Sequence, residues 1–265
     1  MDFNRVSVVA LTKPWMFRWL AYIGQLAILC GQTIYWICVP PFQTYRFLVQ
    51  AKRIGPGSFL ISAMVSFFIG MIIALQMAYL MVQLSAEIYI PNVIALSLTR
   101  ELAPVLTALI VAGRIGAGVT AEIGSMVVTE QVEALKAFAV NPVKYLVVPR
   151  LLALVIMLPV LTIFADFIGI FGGYIICVKK LGINGVMYWQ MVRDALHLKD
   201  IATGLIKTIF FAMVIAVVGC HQGLNVKGGA DGVGTATTTA VVRSFILIIM
   251  LDCAFTFVFY FLFQS

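Results

Sequence analysis

Apolar residues dominate this chain in long runs, and one polar stretch interrupts them. A helix that crosses a membrane needs roughly 20 apolar residues. Five runs meet that length, over residues 59–83, 92–119, 145–178, 201–223 and 239–263. Residues 15–40 are also apolar enough to span, but they carry Arg18, Gln25 and Gln32 among Trp15, Trp19, Tyr22, Tyr35 and Trp36, and Pro40 and Pro41 end them. Aromatics with a basic residue near the start favour a helix lying in the membrane interface over a sixth span. The predicted fold is an all-α membrane protein: an N-terminal interfacial helix, five transmembrane helices, and one polar helix between the second and third spans. Residues 1–54 form the interfacial region of a single domain and residues 55–265 its transmembrane core.

The polar stretch reads EIGSMVVTEQVEALKAFAVNP, from Glu122 to Pro142. Val128, Val132, Leu135 and Ala139 recur at i, i+4, i+7 and i+11, which makes one apolar helical face. Thr129, Glu130, Glu133 and Lys136 fall on other faces, and Pro142 closes the segment. The pattern predicts a short amphipathic helix suited to docking a soluble partner. A solvated loop helix without a partner fits the same pattern.

Composition fixes the class. Of 265 residues 62% are apolar and 11% charged, with a mean hydropathy of +1.05, where soluble domains carry about 25% charged residues. Spanning backbone must satisfy its own hydrogen bonds, so helices are expected. The net charge of +7 fits basic loops facing a cytoplasm and anionic headgroups. Lys and Arg gather on the N-terminal side of the spans, at Arg46, Lys52, Arg53, Arg114, Lys136 and Lys144 among others. The first opposite loop has none, although Lys179, Lys180, Arg193 and Lys199 in the second run against the trend. The bias predicts a cytoplasmic N-terminus, an outward C-terminus and a cytoplasmic polar helix. The five cysteines show no CxxC pairing and lie in or beside apolar runs, so neither a disulfide nor a metal framework is expected. The start of the chain lacks a signal-peptide pattern, and no cleaved signal is expected. Small-xxx-small spacings at Gly169/Gly173 and Gly219/Gly223 permit close helix packing.

Ionisable residues inside spans usually face a cavity or a partner. Arg100 and Glu101 fall in the second predicted span, Asp166 in the third, Lys207 in the fourth and Asp252 in the fifth. At 1.5 Å per residue, Glu101 lies about 13 Å and Lys207 about 9 Å from the outer ends of their spans. Glu101, Lys207 and Asp252 are therefore expected to form one cluster in the outer half of the membrane. That cluster is either an ion-pair lock between helices or a polar site for a charged or zwitterionic substrate. Gln76, Tyr79 and Leu80 of the first span, with its aliphatic residues, would give an amphiphile an apolar wall, although such stripes also serve ordinary packing. No P-loop, HExxH or GxSxG sequence is present. Gly113, Gly116 and Gly118 lack the Lys-Ser/Thr of a P-loop and read as a helix-end turn. His197 and His221 fall in different predicted loops with no ligand set nearby, so no catalytic or metal residues are assigned.

Three segments carry a resemblance: LSLTRELAPVLTALIVAGRIGAGVTAEIGSMVVTEQVEAL (Leu96–Leu135), NPVKYLVVPRLLA (Asn141–Ala153) and GADGVGTATTTAVV (Gly229–Val242). With them the chain from about Gly55 onward closely resembles the MlaE-type (YrbE) permeases of ABC lipid transporters. The resemblance implies a homodimer that moves phospholipid between the bacterial inner membrane and periplasmic MCE-domain (MlaD-like) subunits, in lipid trafficking or upkeep of outer-membrane lipid asymmetry. It implies that the polar helix is a coupling helix docking on a separate cytoplasmic ATPase, which binds the ATP and Mg, so this chain needs no cofactor and is no enzyme. Glu122, Thr129, Glu130, Gln131 and Ala134, with Glu133 among them, hold the coupling positions. Arg100 and Glu101 match an Arg-Glu pair beside the lipid cavity, and Lys207 and Asp252 match charged positions of the same network. A stand-alone secondary transporter or channel using the intramembrane charges is the alternative, and the lack of repeat symmetry and of broken-helix pairs counts against it. A passive scaffold for MCE proteins is a third.

Overall fold

The computed structural model describes residues 15–40 and 43–263, with side chains described between residues 19 and 261. Among them the chain forms helices and turns, with no strand. The helices are α1 (Trp15–Ile37), α2 (Thr44–Gln83), α3 (Glu87–Val128), α4 (Gln131–Ala137), α5 (Val143–Lys179), α6 (Gly185–Ala195), α7 (Leu198–Leu224) and α8 (Gly229–Phe263). Each of the five predicted spans lies inside one helix, and each helix runs past the apolar run that predicted it. The largest extension is α2, whose 40 residues are about 60 Å long. Its first turns carry Arg46, Lys52, Arg53 and Pro56. Pro56 removes only the bond to the carbonyl of the exposed Lys52, so helix continues where hydropathy stops.

Small residues set how the helices meet. A Cβ on Gly70 of α2 would overlap the carbonyl oxygen of Gly169 on α5, and one on Gly172 would overlap that of Phe67. These two long helices therefore pack backbone to backbone. On α7, Thr120 of α3 donates its hydroxyl to the Gly219 carbonyl at 3.0 Å, and a Cβ on Gly223 would press on Ile123. Both small-residue spacings thus serve packing. Val111 and Ile115 of α3, Leu154 and Leu158 of α5, and Phe211 and Ile215 of α7 build the central core. Phe167, Met250, Phe257 and Phe261 stay exposed, as expected of side chains whose solvent is lipid.

Length and composition allow six of these helices to cross a membrane, α1 included. Near both of its ends α1 contacts the same end of the bundle. Near its start, Tyr22 meets His221 edge-on at 5.4 Å and accepts a hydrogen bond from Gln222 at 3.2 Å, in the last turn of α7. Just past its end, the Pro40 carbonyl accepts from Lys144 at 3.1 Å, in the first turn of α5. The last turn of α7 and the first turn of α5 lie on the same side of the membrane when both helices cross it. His221 itself lies within α7, so the expectation that both histidines sit in loops is corrected: His197 precedes that helix and His221 ends it. Among the described residues no three metal-ligating side chains gather.

Candidate substrate site and coupling element

In α3, residues Leu98–Leu102 make one wide π turn, in which the Ala103 N–H bonds the Leu98 carbonyl five residues back. Pro104 follows and has no N–H to offer the Arg100 carbonyl, its normal helical partner. Lys207 of α7 takes that place, donating to the Arg100 carbonyl at 3.3 Å. π turns concentrate at functional sites, and this one carries both Arg100 and Glu101. Gly204 lets α7 come close enough, since a Cβ there would overlap the Thr99 carbonyl.

Lys207 is 1% exposed and reaches three side chains. Its ammonium lies 2.6 Å from Glu101 Oε2, 2.9 Å from Asp252 Oδ1 and 2.8 Å from Thr256 Oγ1. The Thr256 hydroxyl in turn donates to Glu101 at 3.0 Å. Asp252 and Thr256 stand four residues apart, on one face of α8. Arg100 pairs with Asp200 at 3.1 Å, and Asp200 Oδ2 also accepts the His197 N–H at 3.1 Å at the start of α7. The structure therefore joins Glu101, Lys207 and Asp252, as the depth argument expects, and adds Thr256, with the Arg100–Asp200 pair beside them. With one ammonium against two carboxylates, the inner three groups carry a formal charge of −1.

Glu101, Lys207 and Thr256 floor a cleft of about 300 Å³ walled by Leu96, Thr203, Phe259 and Tyr260. A second hollow of about 420 Å³, bounded by His197, Leu198 and Asp200, meets it at Arg100. The arrangement offers a cation, carboxylates and a hydroxyl beside aromatic walls, a combination suited to an amphiphile with a charged head. Gln76, Tyr79 and Leu80 lie elsewhere: they are exposed on α2 and do not line this cleft. Asp166 also stands apart, with a buried Oδ1 that has no partner among the described residues.

At the other end of α3 the single amphipathic helix expected over 122–142 is broken. α3 continues to Val128, Glu130 takes a left-handed backbone (φ 57), α4 is only seven residues, and Ala139 is again left-handed (φ 57). Each reversal turns the chain, so the expected apolar face is not continuous. Val132 is buried, whereas Val128 and Ala139 are exposed. Thr129, Glu130, Gln131, Glu133 and Ala134 all lie exposed on this knob, and Phe138, which the periodicity did not single out, is 80% exposed at its tip. Glu122 does not belong to the knob. It bonds Arg53 of α2 at 2.6 Å and the buried Arg150 of α5 at 2.5 Å, tying three helices together within the chain. The cluster and the knob thus sit on one rod, about 40 Å apart along α3.

Comparison with known proteins places this geometry in a family. The family model for the permease MlaE matches residues 47–258. A probable ABC transporter permease protein of Rickettsia typhi is 42% identical over 245 residues, covering 92% of this chain and 95% of that protein. One from Synechocystis is 40% identical over 230 residues, covering 87% of this chain and 88% of that protein. The intermembrane phospholipid transport system permease protein MlaE of Haemophilus influenzae is 38% identical over 208 residues, covering 78% of this chain and 80% of that protein.

Proposed function

This chain belongs to the MlaE permease family, and from that premise we propose that it moves phospholipid through the cleft floored by Lys207, driven by ATP hydrolysis on a separate ATPase chain. The observation that carries the reading is the Lys207–Glu101–Asp252–Thr256 cluster, built on the buried Lys207, on one half of α3, with the exposed α4 knob past its far end. A substrate head and a driving partner would then act on the same rod.

The steps follow from the charges and the lever. A lipid phosphate approaching the cleft meets the Arg100 guanidinium, which is 44% exposed and forms bidentate contacts with phosphate more readily than an ammonium does. The phosphate competes with Asp200 for it. Motion of the ATPase pushes α4, and Glu122 passes the push from α3 to α2 and α5 through Arg53 and Arg150. Opening the α3–α7 contact at Gly204 separates Glu101 from Lys207 and redistributes the charge that faces the cleft, which releases the head. The exposed apolar residues of α8 (Val242, Ile246, Ile249, Met250, Phe257) follow one helical stripe and would seat a second copy, closing the cleft between two chains. α1 lies in the interface in this reading, since its two ends meet the same end of the bundle. The N-terminus and α4 face the cytoplasm of an inner membrane, and MCE-domain subunits receive or deliver the lipid outside.

Purification in mild detergent, followed by mass spectrometry of the proteins and lipids retained, tests this directly. An ATPase, an MCE-domain protein and phospholipid retained together, with the lipid lost in Lys207→Glu, is the expected result. A chain that purifies without an ATPase, and whose lipid content ignores Lys207, would instead favour a transporter working alone.

A further inference from the structure

The end of the bundle that carries α4 holds a second polar site, separate from the outer cleft. Arg150 of α5 is 5% exposed. Two of its donors are used, on the Leu146 carbonyl at 2.7 Å and on Glu122 at 2.5 Å, while its buried Nε has no partner among the described residues. A buried guanidinium N–H without an acceptor is costly and calls for one. It lines a cavity of about 240 Å³ with Tyr45, Arg46, Gln50, Glu122 and Tyr145. Arg46 lies over the Tyr145 ring at 3.4 Å and bonds its hydroxyl, and among the described residues no carboxylate pairs with it. Glu122, the one acid present, is already held by Arg53 and Arg150. Three guanidinium groups against one carboxylate leave a formal excess of +2 at this mouth.

An apolar groove adjoins this cavity across Pro149, which lines both. The groove holds about 270 Å³ between Trp36, Phe47, Val148, Leu152 and Ile156. Val148, Leu152 and Ile156 recur every four residues, so it runs about 12 Å up α5, away from the charges. Lys144 stands at its foot, 5.3 Å from the Trp36 ring centroid, and Gln43 adds a buried Oε1 without a partner, an acceptor for a headgroup hydroxyl. A cationic mouth at the membrane edge continuous with an apolar channel matches one chemistry, an anionic head on a hydrocarbon chain.

We propose that this site binds an anionic phospholipid from the leaflet on the α4 side, with its phosphate between Arg46 and Arg150 and one acyl chain along Phe47, Val148, Leu152 and Ile156. The lipid would complete the Arg150 shell beside Glu122 and stiffen the joint through which α4 moves α2 and α5. The site is independent of what the outer cleft carries.

Trp36 supplies the probe. The full-length protein with Trp15, Trp19 and Trp189 changed to Phe is reconstituted in vesicles containing phosphatidylglycerol or phosphatidylcholine brominated on the acyl chains. Quenching of Trp36 should reach half its maximum at a mole fraction of brominated phosphatidylglycerol at least about fivefold lower than of brominated phosphatidylcholine, the effect of roughly one basic contact. Arg46→Gln should remove most of that preference. Arg150→Lys, which keeps the charge beside Glu122 but not the Nε donor, should reduce it while the protein stays folded. Equal quenching by the two lipids, or a preference untouched by Arg46→Gln, overturns the proposal. Displacement of the lipid by soluble glycerol phosphate would make this a free-phosphate site, and loss of the preference on adding the ATPase subunit would make it that partner's docking surface; either result overturns the lipid assignment.

Discussion

Replacing Lys207 by Met keeps most of the side chain's length and removes its charge. Two carboxylates remain, Glu101 and Asp252, which bond one nitrogen at 2.6 and 2.9 Å. Their bonded oxygens are therefore within about 5.5 Å of each other, and at an effective dielectric of about 20 two such charges repel by about 3 kcal/mol. Glu101 is 40% exposed, so water relieves part of this, whereas the unfilled carbonyl of Arg100 and the lost Thr256 contact add to it. Removing one partner of a buried pair costs about 3–5 kcal/mol in general, and the lower end suits this half-open cluster. The expected outcome is a large fall in the thermal midpoint of Lys207→Met, followed in detergent by fluorescence-detected size exclusion. The triple variant Lys207→Met, Glu101→Gln, Asp252→Asn removes the repulsion and should recover most of the stability without recovering lipid transport. A single variant as stable as the parent would refute the electrostatic account. A triple variant that transports normally would show that the cluster is only a lock between helices.

Three further outcomes follow from other parts of the structure. Gly204→Ala forces α7 off the Thr99 carbonyl; overpacking of this kind costs about 1–3 kcal/mol, and lipid-stimulated ATP hydrolysis should fall with the midpoint. Glu130→Gly relieves a left-handed backbone that costs a non-glycine residue about 1 kcal/mol and should stabilise the chain slightly, while Glu130→Lys should weaken ATPase assembly with little change in stability; if both leave assembly unchanged, the knob is not the docking element. Cys253 is exposed on α8, so a bismaleimide should link two copies in membranes, and the product should vanish in Cys253→Ala but persist in Cys38→Ala; no product from the parent chain would count against the α8 dimer face.

The long apolar runs made the five helices they predicted legible, because a bilayer demands length and hydrophobicity and little else. The Lys207 cluster was legible for a related reason: charges are so rare in such runs that Glu101 and Lys207 could be matched by depth alone. What escaped was geometry without a compositional signature. Helical period assigns faces only while the helix continues, and the left-handed Glu130 ends α3 two residues earlier, at Val128, so Val128 and Ala139 never shared a face with Val132. Glu122 reads like its exposed neighbours because its partners, Arg53 and Arg150, are 69 and 28 residues away. Thr256 could have been found, four residues after Asp252, but a lone threonine in a span carries no signal. Gln76, Tyr79 and Leu80 share a mixed stripe with many lipid-facing helices, and the structure leaves them outside the cleft.

The wide turn at Leu98–Leu102 has a bearing on how this chain tolerates change. A π turn holds one residue more than the α-helical turn it replaces. Removing a single residue there would restore a regular helical turn while both flanks kept their own packing, one against α6 and the other against α7. A deletion that would be ruinous in α7, or in α5 beyond its own wide turn at Val143–Val147, where it would rotate every later side chain by about 100°, could thus be absorbed at this point. Its cost would fall on the aim of Arg100 and Glu101. This spot is then forgiving in length and exacting in content, and length variants confined to it should keep the fold and lose the cluster.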